Sequence, residues 1–191
     1  LVIGLIVAMA GMFARENNAQ HRELAITRTQ NVALVLERYV AGVVDKTDLA
    51  MKSVAIEFER RLRTRGADDI PIDTFLAQQL SHLPEVESVR IATADGIVRL
   101  GNSGVTNVSI ADREHFQRAR DGKAGVLVFS EPLFGRITHD WVLVLTRRLD
   151  RPDGSFAGVV VAGLTAAHFR KVFASLDLGE DAAVSLRTAG M

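Results

Sequence analysis

The chain has 191 residues, and its 23 basic and 23 acidic side chains leave no formal net charge at pH 7. It contains no cysteine, which excludes disulfide frameworks and thiolate metal sites. No basic face or Arg/Lys-rich tract supports nucleic-acid binding. Apart from its two ends, a chain of this length suits one domain.

The N-terminal segment is apolar up to the first charged residue, Arg15. A transmembrane helix needs about 20 apolar residues, and this chain begins inside its apolar run. A buried core helix and the apolar region of a signal peptide are the alternative interpretations. Because a helix-favouring sequence continues directly, without a cleavage site, we expect residues 1–14 to be the distal half of a transmembrane helix that anchors the protein.

Residues 15–65 contain no proline and a single glycine, Gly42. Their apolar side chains recur mostly three or four positions apart, which is the pattern of an amphipathic helix. Those side chains are Val32, Leu36, Tyr39, Val43, Met51, Val54, Phe58 and Leu62. A helix of this length usually forms a coiled coil or a scaffold for another domain. We therefore predict a stalk and scaffold helix over 15–65 that also pairs with a second copy, giving a homodimer.

The rest of the chain alternates between short helices and strands that are separated by turn signals. Asp95-Gly96 is a hairpin signal, and in Pro152-Asp153-Gly154 the proline presets its φ while the glycine takes a positive φ. Asp112 can cap the helix that follows it. Helices are predicted over 71–83, 113–121 and 166–176, and strands over 86–92, 97–100, 125–131, 140–149 and 156–165. Five antiparallel strands with helices packed on them make an α+β domain of PAS-like shape.

The order of these motifs resembles that of a known family. A long helix and a hairpin precede Asp112-Arg113-Glu114-His115-Phe116, a strand ending at Pro132, a strand from Trp141 to Arg148, the Pro-Asp-Gly turn and a Gly-Val-Val strand. Double Cache sensor domains, the periplasmic ligand-binding regions of bacterial transmembrane receptors, are similar in this order.

The resemblance covers the chain from about residue 15 to its end, and it implies an arrangement of domains. The long helix would pack on the five-stranded PAS-like sheet of a membrane-distal module over 66–178. Residues 179–191 would begin a membrane-proximal module. The chain would then be a fragment of a two-module sensor.

The resemblance also implies a function and a location. Receptors of this kind are diguanylate cyclases or phosphodiesterases, histidine kinases or chemoreceptors of the inner membrane, with the sensor in the periplasm. This chain contains none of their catalytic motifs. Its five histidines are scattered, and no serine lies in a Gly-x-Ser-x-Gly elbow. We therefore expect a ligand-sensing input domain, without enzymatic activity or a cofactor, that signals through helices to a cytoplasmic output.

Arg113 indicates the chemistry of the ligand. One branch of the family binds amino acids through an Arg-x-Trp-Tyr motif and an aspartate on the last strand. In this sequence Arg113 matches the arginine, His115 and Phe116 stand at the two aromatic positions, and Gly163 lies near the aspartate position. A guanidinium suits bidentate recognition of a carboxylate, whereas the acid that would bind an ammonium group is absent. The resemblance thus implies a small carboxylate or other organic anion rather than an α-amino acid.

Further candidates surround this arginine in the predicted sheet. Arg113 and His115 can face one pocket only if their helix starts irregularly, because two residues span about 200° of a regular helix. Trp141 begins a strand, where its ring could line the mouth of a pocket, and Ser130 and Glu131 end another strand. The candidate ligand-binding residues are Arg113, His115, Phe116, Phe129, Ser130, Glu131 and Trp141.

These residues also have structural interpretations. Arg113 could pair with Glu114 or Asp112 at the surface, the two phenylalanines favour the core, and the residues at the strand end could simply satisfy its backbone. Arg147 and Arg148 lie on opposite faces of their strand, so at most one of them can face a site, and the other should pair with Asp150 or Asp153.

A second hypothesis is a non-sensing PAS-like module that mediates dimerisation or protein contacts, and a truncated membrane enzyme is a third. A partly polar pocket beside Arg113 would favour sensing, and a filled hydrophobic core would favour the second hypothesis.

Overall fold

The computed structural model describes residues 2–65, 72–101 and 107–174, which form four helices and seven strands. The helices are α1 (Val2–Arg65), α2 (Asp73–Ser81), α3 (Glu114–Asp121) and α4 (Ala166–Ala174). The strands are β1 (Val86–Thr93), β2 (Ile97–Gly101), β3 (Val108–Ser109), β4 (Leu127–Phe129), β5 (Leu133–Phe134), β6 (Trp141–Asp150) and β7 (Phe156–Thr165). The expected start of a second module, over 179–191, lies outside the described residues.

The chain divides into two compact units, residues 1–45 and 46–191, and α1 contributes to both. In the second unit, α1 buries Met51, Val54 and Phe58. Their spacing of three and four residues predicted that they share one face of the helix, and their burial confirms it. Within the described ranges, no helix has an apolar segment long enough to cross a membrane.

The strands form one antiparallel sheet in the order β3-β2-β1-β7-β6-β4, and β5 pairs with the first residues of β6. The five strands predicted from the sequence are β1, β2, β4, β6 and β7, and the α+β class is confirmed. The two additional strands, β3 and β5, have two residues each. Strands this short cannot display the alternation of polar and apolar side chains that reveals a strand in a sequence.

The central strands are buried on both faces of the sheet. One face carries Val144 and Val161, which belong to a hydrophobic cluster with Phe116 of α3. The opposite face buries Leu145 and Leu164. The alternating sequence over 86–92 predicted a half-buried strand, but β1 is buried at almost every position. The reason is that its polar residues Ser88 and Arg90 are buried and hydrogen-bonded to each other.

Two adjacent arginines on β6 show that the two faces have different partners. Arg147 donates from Nε to Asp48 Oδ1 of α1, at 2.5 Å. Arg148 lies on the other face, where its Nε donates to Asp150 Oδ1 at 2.6 Å and its guanidinium lies 5.0 Å from the centroid of the Phe156 ring. The predicted pairing of one arginine with Asp150 is therefore confirmed.

The turn between β6 and β7 has the geometry that its sequence predicts. Gly154 has φ +81°, a left-handed conformation that glycine adopts without steric cost. Its backbone N–H donates to Arg151 O at 2.8 Å. Asp153 Oδ1 accepts hydrogen bonds from the backbone N–H and the hydroxyl of Ser155, at 2.9 and 2.7 Å. This turn fixes the register in which β6 and β7 pair.

Candidate functional site

A cavity of about 60 Å³ lies between the sheet, α3 and the segment 135–140 that joins β5 to β6. We call this segment the strap. The polar side chains of the cavity wall are Arg90, Arg113, His115, Arg136 and Thr138. The remaining lining residues are Val98, Ile110, Leu133, Gly135, Ile137, Val142, Val144, Val161, Ala162 and Gly163. Three arginines and a histidine are thus among the residues that line the cavity, and of the residues described none that lines it is acidic.

The size of the cavity limits its occupant. A volume of roughly 10–15 Å³ on this measure accommodates one water molecule, so this cavity has room for a few non-hydrogen atoms. The cationic wall favours an occupant with negative charge. The arrangement is therefore suited to holding a compact anion, and its apolar residues can pack against a short hydrocarbon part.

Arg113 reaches the cavity because α3 begins one residue later. Arg113 is the N-cap residue, and its φ of −77° and ψ of 134° are those of extended backbone. Its side chain therefore leaves the chain in a direction that a residue within the helix could not take. Nη2 donates to Phe134 O of β5, at 3.2 Å. This irregular start brings Arg113 and His115 to the same cavity. The sequence predicted that the two residues could share a pocket only if their helix began irregularly.

His115 is held from the opposite side by the sheet. It is 4% exposed, and its Nδ1 lies 2.9 Å from the hydroxyl oxygen of Thr146 on β6. Burial, together with the positive charge of Arg113, lowers the pKa of the imidazole from 6.5 to about 4. The ring is therefore neutral at physiological pH, and it offers a hydrogen-bonding group rather than a charge.

Arg136 of the strap was not predicted as a site residue. Its Nη1 and Nη2 donate to the two carboxylate oxygens of Asp112, at 2.7 and 2.6 Å, and Nη1 also donates to Ser109 O at 2.8 Å. The hydrogen bonds from Arg136 lower the pKa of Asp112 to about 2. The prediction that Asp112 caps α3 is wrong, because the helix has no side-chain cap and this carboxylate binds the strap instead.

Arg90 of β1 is the second cationic residue that sequence reasoning missed. It is buried, and its Nη1 donates to Ser88 Oγ two residues earlier on the same face. Burial lowers the pKa of its guanidinium from the usual value. The sequence carried no signal for it, because an arginine between Val89 and Ile91, in phase with Ser88, is typical of the solvent-facing side of a half-buried strand.

Five of the predicted site residues lie away from the cavity wall. Phe116 is fully buried in the core, where its ring meets that of Phe156 edge to face at 5.9 Å. Phe129 is partly buried on β4, and its carbonyl accepts a hydrogen bond from Arg118 Nη1 at 3.2 Å. Trp141 is 54% exposed, and its ring contacts that of Phe134 at 6.2 Å.

Ser130 and Glu131 follow β4 and do not reach the cavity wall either. The backbone N–H of Ser130 donates to Val144 O, and its hydroxyl accepts from the Val144 N–H, both at 2.9 Å. Glu131 is exposed. The structural interpretation of this strand end therefore describes Ser130, which satisfies the backbone of β6. Arg113 and His115 are the two predicted residues that the fold brings together.

Gly163 of β7 also lines the cavity. A Cβ atom added at this position would lie 3.4 Å from Ser88 Oγ, so the backbone here contributes wall without a side chain. The resemblance to the amino-acid-binding branch indicated this position as that of an acidic residue. The position does face the cavity, and it carries no carboxylate.

Solved structures of sensor domains resemble this chain. The extracellular domain of rpHK1S-Z16, assigned as a histidine kinase, superposes with a TM-score of 0.71 and 26% sequence identity, over 82% of this chain and 64% of that domain. The ligand-binding domain of Campylobacter jejuni chemoreceptor Tlp3, in complex with 4-methylisoleucine, gives 0.64 and 12% over 80% of this chain and 63% of that one. No protein-family model and no curated protein matches the sequence.

A third structure is the sensor domain of the V. cholerae histidine kinase DctB, with a TM-score of 0.59, 12% identity and coverage of 80% of this chain and 60% of DctB's. The chain has the fold of a Cache-type sensor domain. The predicted resemblance is thereby confirmed. The chain covers less than two thirds of the length of each of these three structures, which are sensor and ligand-binding domains.

Proposed function

We propose that this chain is the extracytoplasmic ligand-sensing input domain of a transmembrane signalling receptor, and that its cavity binds a small organic anion. The observation that carries the proposal is the wall of the cavity: Arg90, Arg113, Arg136 and His115 all line it, and none of its described lining residues is acidic. A carboxylate can accept charge-assisted hydrogen bonds from such groups. A cavity with polar walls also favours sensing over a purely structural PAS-like module.

The proposal separates this domain from the amino-acid receptors that it resembles in fold. The matched structures include Tlp3 in complex with 4-methylisoleucine and the Pseudomonas aeruginosa chemoreceptor PctC in complex with GABA. Both ligands carry an ammonium group as well as a carboxylate. Here Gly163 stands where an acidic partner for that ammonium group would be expected. We therefore propose that short monocarboxylates or dicarboxylates bind in preference to α-amino acids.

The proposed receptor also includes parts beyond the described sheet. Residues 1–14 would anchor it in the inner membrane, residues 179–191 would begin a membrane-proximal module, and a cytoplasmic output domain would receive the signal. Homodimerisation is supported by Leu49 and Ile56 of α1, which are 67% and 68% exposed. These two residues lie seven positions apart and therefore on one side of the helix, as residues at a helix-pairing surface do.

A thermal-shift screen of the full chain tests the choice of ligand. Propionate and L-alanine form a matched pair, because alanine differs from propionate only by its ammonium group. We expect propionate and related short carboxylates to raise the melting temperature, and L-alanine to have a much smaller effect. The variant Gly163→Asp adds a carboxylate at the position where an ammonium partner is missing, so it should shift the preference toward alanine. Stabilisation of the unaltered chain by amino acids alone would refute the proposed ligand class.

A further inference from the structure

The hydrogen bond between His115 and Thr146 is enclosed by the fold. The imidazole is 4% exposed and the Thr146 side chain is fully buried. Nδ1 and Oγ1 are 2.9 Å apart, and either atom can be the donor, depending on which ring nitrogen carries the proton. The direction of this bond decides what the other ring nitrogen, Nε2, presents to a ligand.

The surroundings of Thr146 select one direction. Over the described parts of the chain, His115 is the only hydrogen-bond partner of the Thr146 hydroxyl. If Nδ1 carried the proton and donated it, the hydroxyl hydrogen would be buried without an acceptor, at a cost typical of an unsatisfied polar group. If the hydroxyl donates to Nδ1 instead, both groups are satisfied. The imidazole proton then resides on Nε2.

Nε2 of His115 is open to the cavity. It has no hydrogen-bond partner among the residues described, and every fully enclosed side-chain nitrogen or oxygen in that part of the chain has one. Since the rest of the ring is buried and His115 lines the cavity, the cavity is where Nε2 remains accessible. Nε2 of His115 is thus available to form a hydrogen bond with an occupant of the cavity that Arg113 also lines.

We propose that Thr146 is a positioning residue, which fixes His115 as the Nε2–H tautomer and so makes the imidazole a neutral hydrogen-bond donor to the anion that Arg113 binds. This inference rests on the proposed function for its ligand, and on the hydrogen-bond geometry alone for its tautomer. A donor rather than a lone pair at this position complements an anionic oxygen. The same position would repel that oxygen if Nε2 were unprotonated.

The tautomer can be measured without any ligand. In the full chain labelled with ¹⁵N-histidine, two-bond proton–nitrogen correlations distinguish Nε2–H from Nδ1–H rings. The expected result is an Nε2–H ring for His115 at neutral pH. The signal is assigned by its loss in His115→Gln. A ring protonated on Nδ1 in the unaltered chain would overturn the inference. Thr146→Ser keeps a hydroxyl and should keep a single tautomer, whereas Thr146→Val should populate both tautomers.

Propionate titrations then test the consequence for binding. When both tautomers are populated, the affinity falls only in proportion to the fraction of Nε2–H rings. We expect Thr146→Val to bind propionate up to about twofold more weakly and Thr146→Ser to restore the affinity. Equal affinities in Thr146→Val and the unaltered chain would overturn the positioning role.

If Thr146→Val does not fold, the tautomer of the unaltered chain and the propionate affinity of Thr146→Ser still test whether Thr146 positions His115. If no short carboxylate bound the unaltered chain, the proposed function would fail, while the tautomer would still be decided by its own measurement.

Discussion

Asp48 of α1 and Arg147 of β6 form an ion pair at 2.5 Å, and the residue that precedes Arg147 is Thr146, which contacts His115 on the opposite face of the sheet. Two consecutive residues of one strand therefore contact His115 of the cavity wall and Asp48 of the long helix. Burial would raise the pKa of Asp48, but hydrogen bonds from Arg147 and Lys52 hold it below its ordinary value. A change in the position of β6 around a ligand would move the partner of α1 directly.

The first prediction concerns this ion pair. Arg147 is buried, and its Nη1 also donates to Gly125 O at 2.6 Å. Replacing it by methionine leaves the Asp48 carboxylate without its main partner, so we expect Arg147→Met to lower the free energy of unfolding by about 3 kcal/mol. Lys52 binds the same carboxylate but is 51% exposed. The control variant Lys52→Met should therefore cost about 1 kcal/mol or less. Urea denaturation of both variants gives the comparison, and equal losses would contradict it.

The second prediction concerns the contact between the strap and the start of α3. Asp112 neutralises Arg136, one of the three guanidinium groups of the cavity wall. Asp112→Asn should therefore tighten propionate binding, by roughly twofold to fivefold at low ionic strength, and the gain should shrink as salt is added. Asp121→Asn is the matched control, because Asp121 pairs with Arg120 away from the cavity wall. Weaker binding by Asp112→Asn would show that this ion pair instead holds the site in its binding geometry.

The third prediction is a pH dependence of stability. The pKa of His115 is about 4 in the folded chain and close to 6.5 in the unfolded one. Between these values the unfolded chain binds a proton that the folded chain does not, so stability falls as the pH falls from about 6.5 to 4. The full effect is on the order of 2–4 kcal/mol. The other ionisable groups that line the cavity, Arg90, Arg113 and Arg136, are guanidiniums and do not titrate in this range.

Chemical denaturation of the full chain at several pH values measures this effect. His115→Gln retains a polar side chain that does not titrate, so the fall in stability between about pH 6.5 and 4 should be smaller in this variant by the amount that His115 contributes. Carboxylates with lowered pKa values, such as Glu57 at about 2, lose their contribution at lower pH than His115 does. Parallel curves for the variant and the unaltered chain would show that His115 is not the group responsible.

The fourth prediction is that α1 mediates self-association. Leu49 and Ile56 are exposed apolar residues on one side of the helix, and pairing with a second copy would bury them. A double variant carrying Leu49→Glu and Ile56→Glu should sediment as a monomer at protein concentrations where the unaltered chain forms a dimer. The control Glu59→Gln changes a charge on the same helix without altering these apolar side chains. A dimer that persists in the double variant would place the interface elsewhere.

The sequence was informative where local chemistry decides the structure. The Pro152-Asp153-Gly154 turn and the apolar spacing of α1 predicted elements that the structure contains, and the motif around Arg113 indicated two residues that line the cavity, Arg113 and His115. The positions of the site residues that the sequence did not indicate depend on long-range packing. Arg90 lies within a strand, where a charged residue normally indicates a solvent-facing position, and only the covering of both sheet faces encloses it.

The orientations of the Arg136 and Trp141 side chains also could not be predicted from the sequence. Arg136 lies in the strap, which has no hydrophobic periodicity to reveal which way its side chains point, and its position depends on a carboxylate 24 residues earlier in the chain. Trp141 begins β6 at the outer end of the hairpin, so its ring remains at the surface with Phe134. Neither orientation follows from residue type, because each depends on how β5 pairs with β6.

The most direct measurement of the central claim is calorimetric titration of the full chain with propionate and with L-alanine, compared between Arg113→Ala and Arg118→Ala. Both arginines belong to the α3 region, but Arg118 faces away from the cavity wall. The account predicts that propionate binds more tightly than alanine, that Arg113→Ala weakens propionate binding by one to two orders of magnitude, about 1.5–3 kcal/mol, and that Arg118→Ala leaves it unchanged. Tighter binding of alanine, or equal propionate affinity in Arg113→Ala and the unaltered chain, would contradict it.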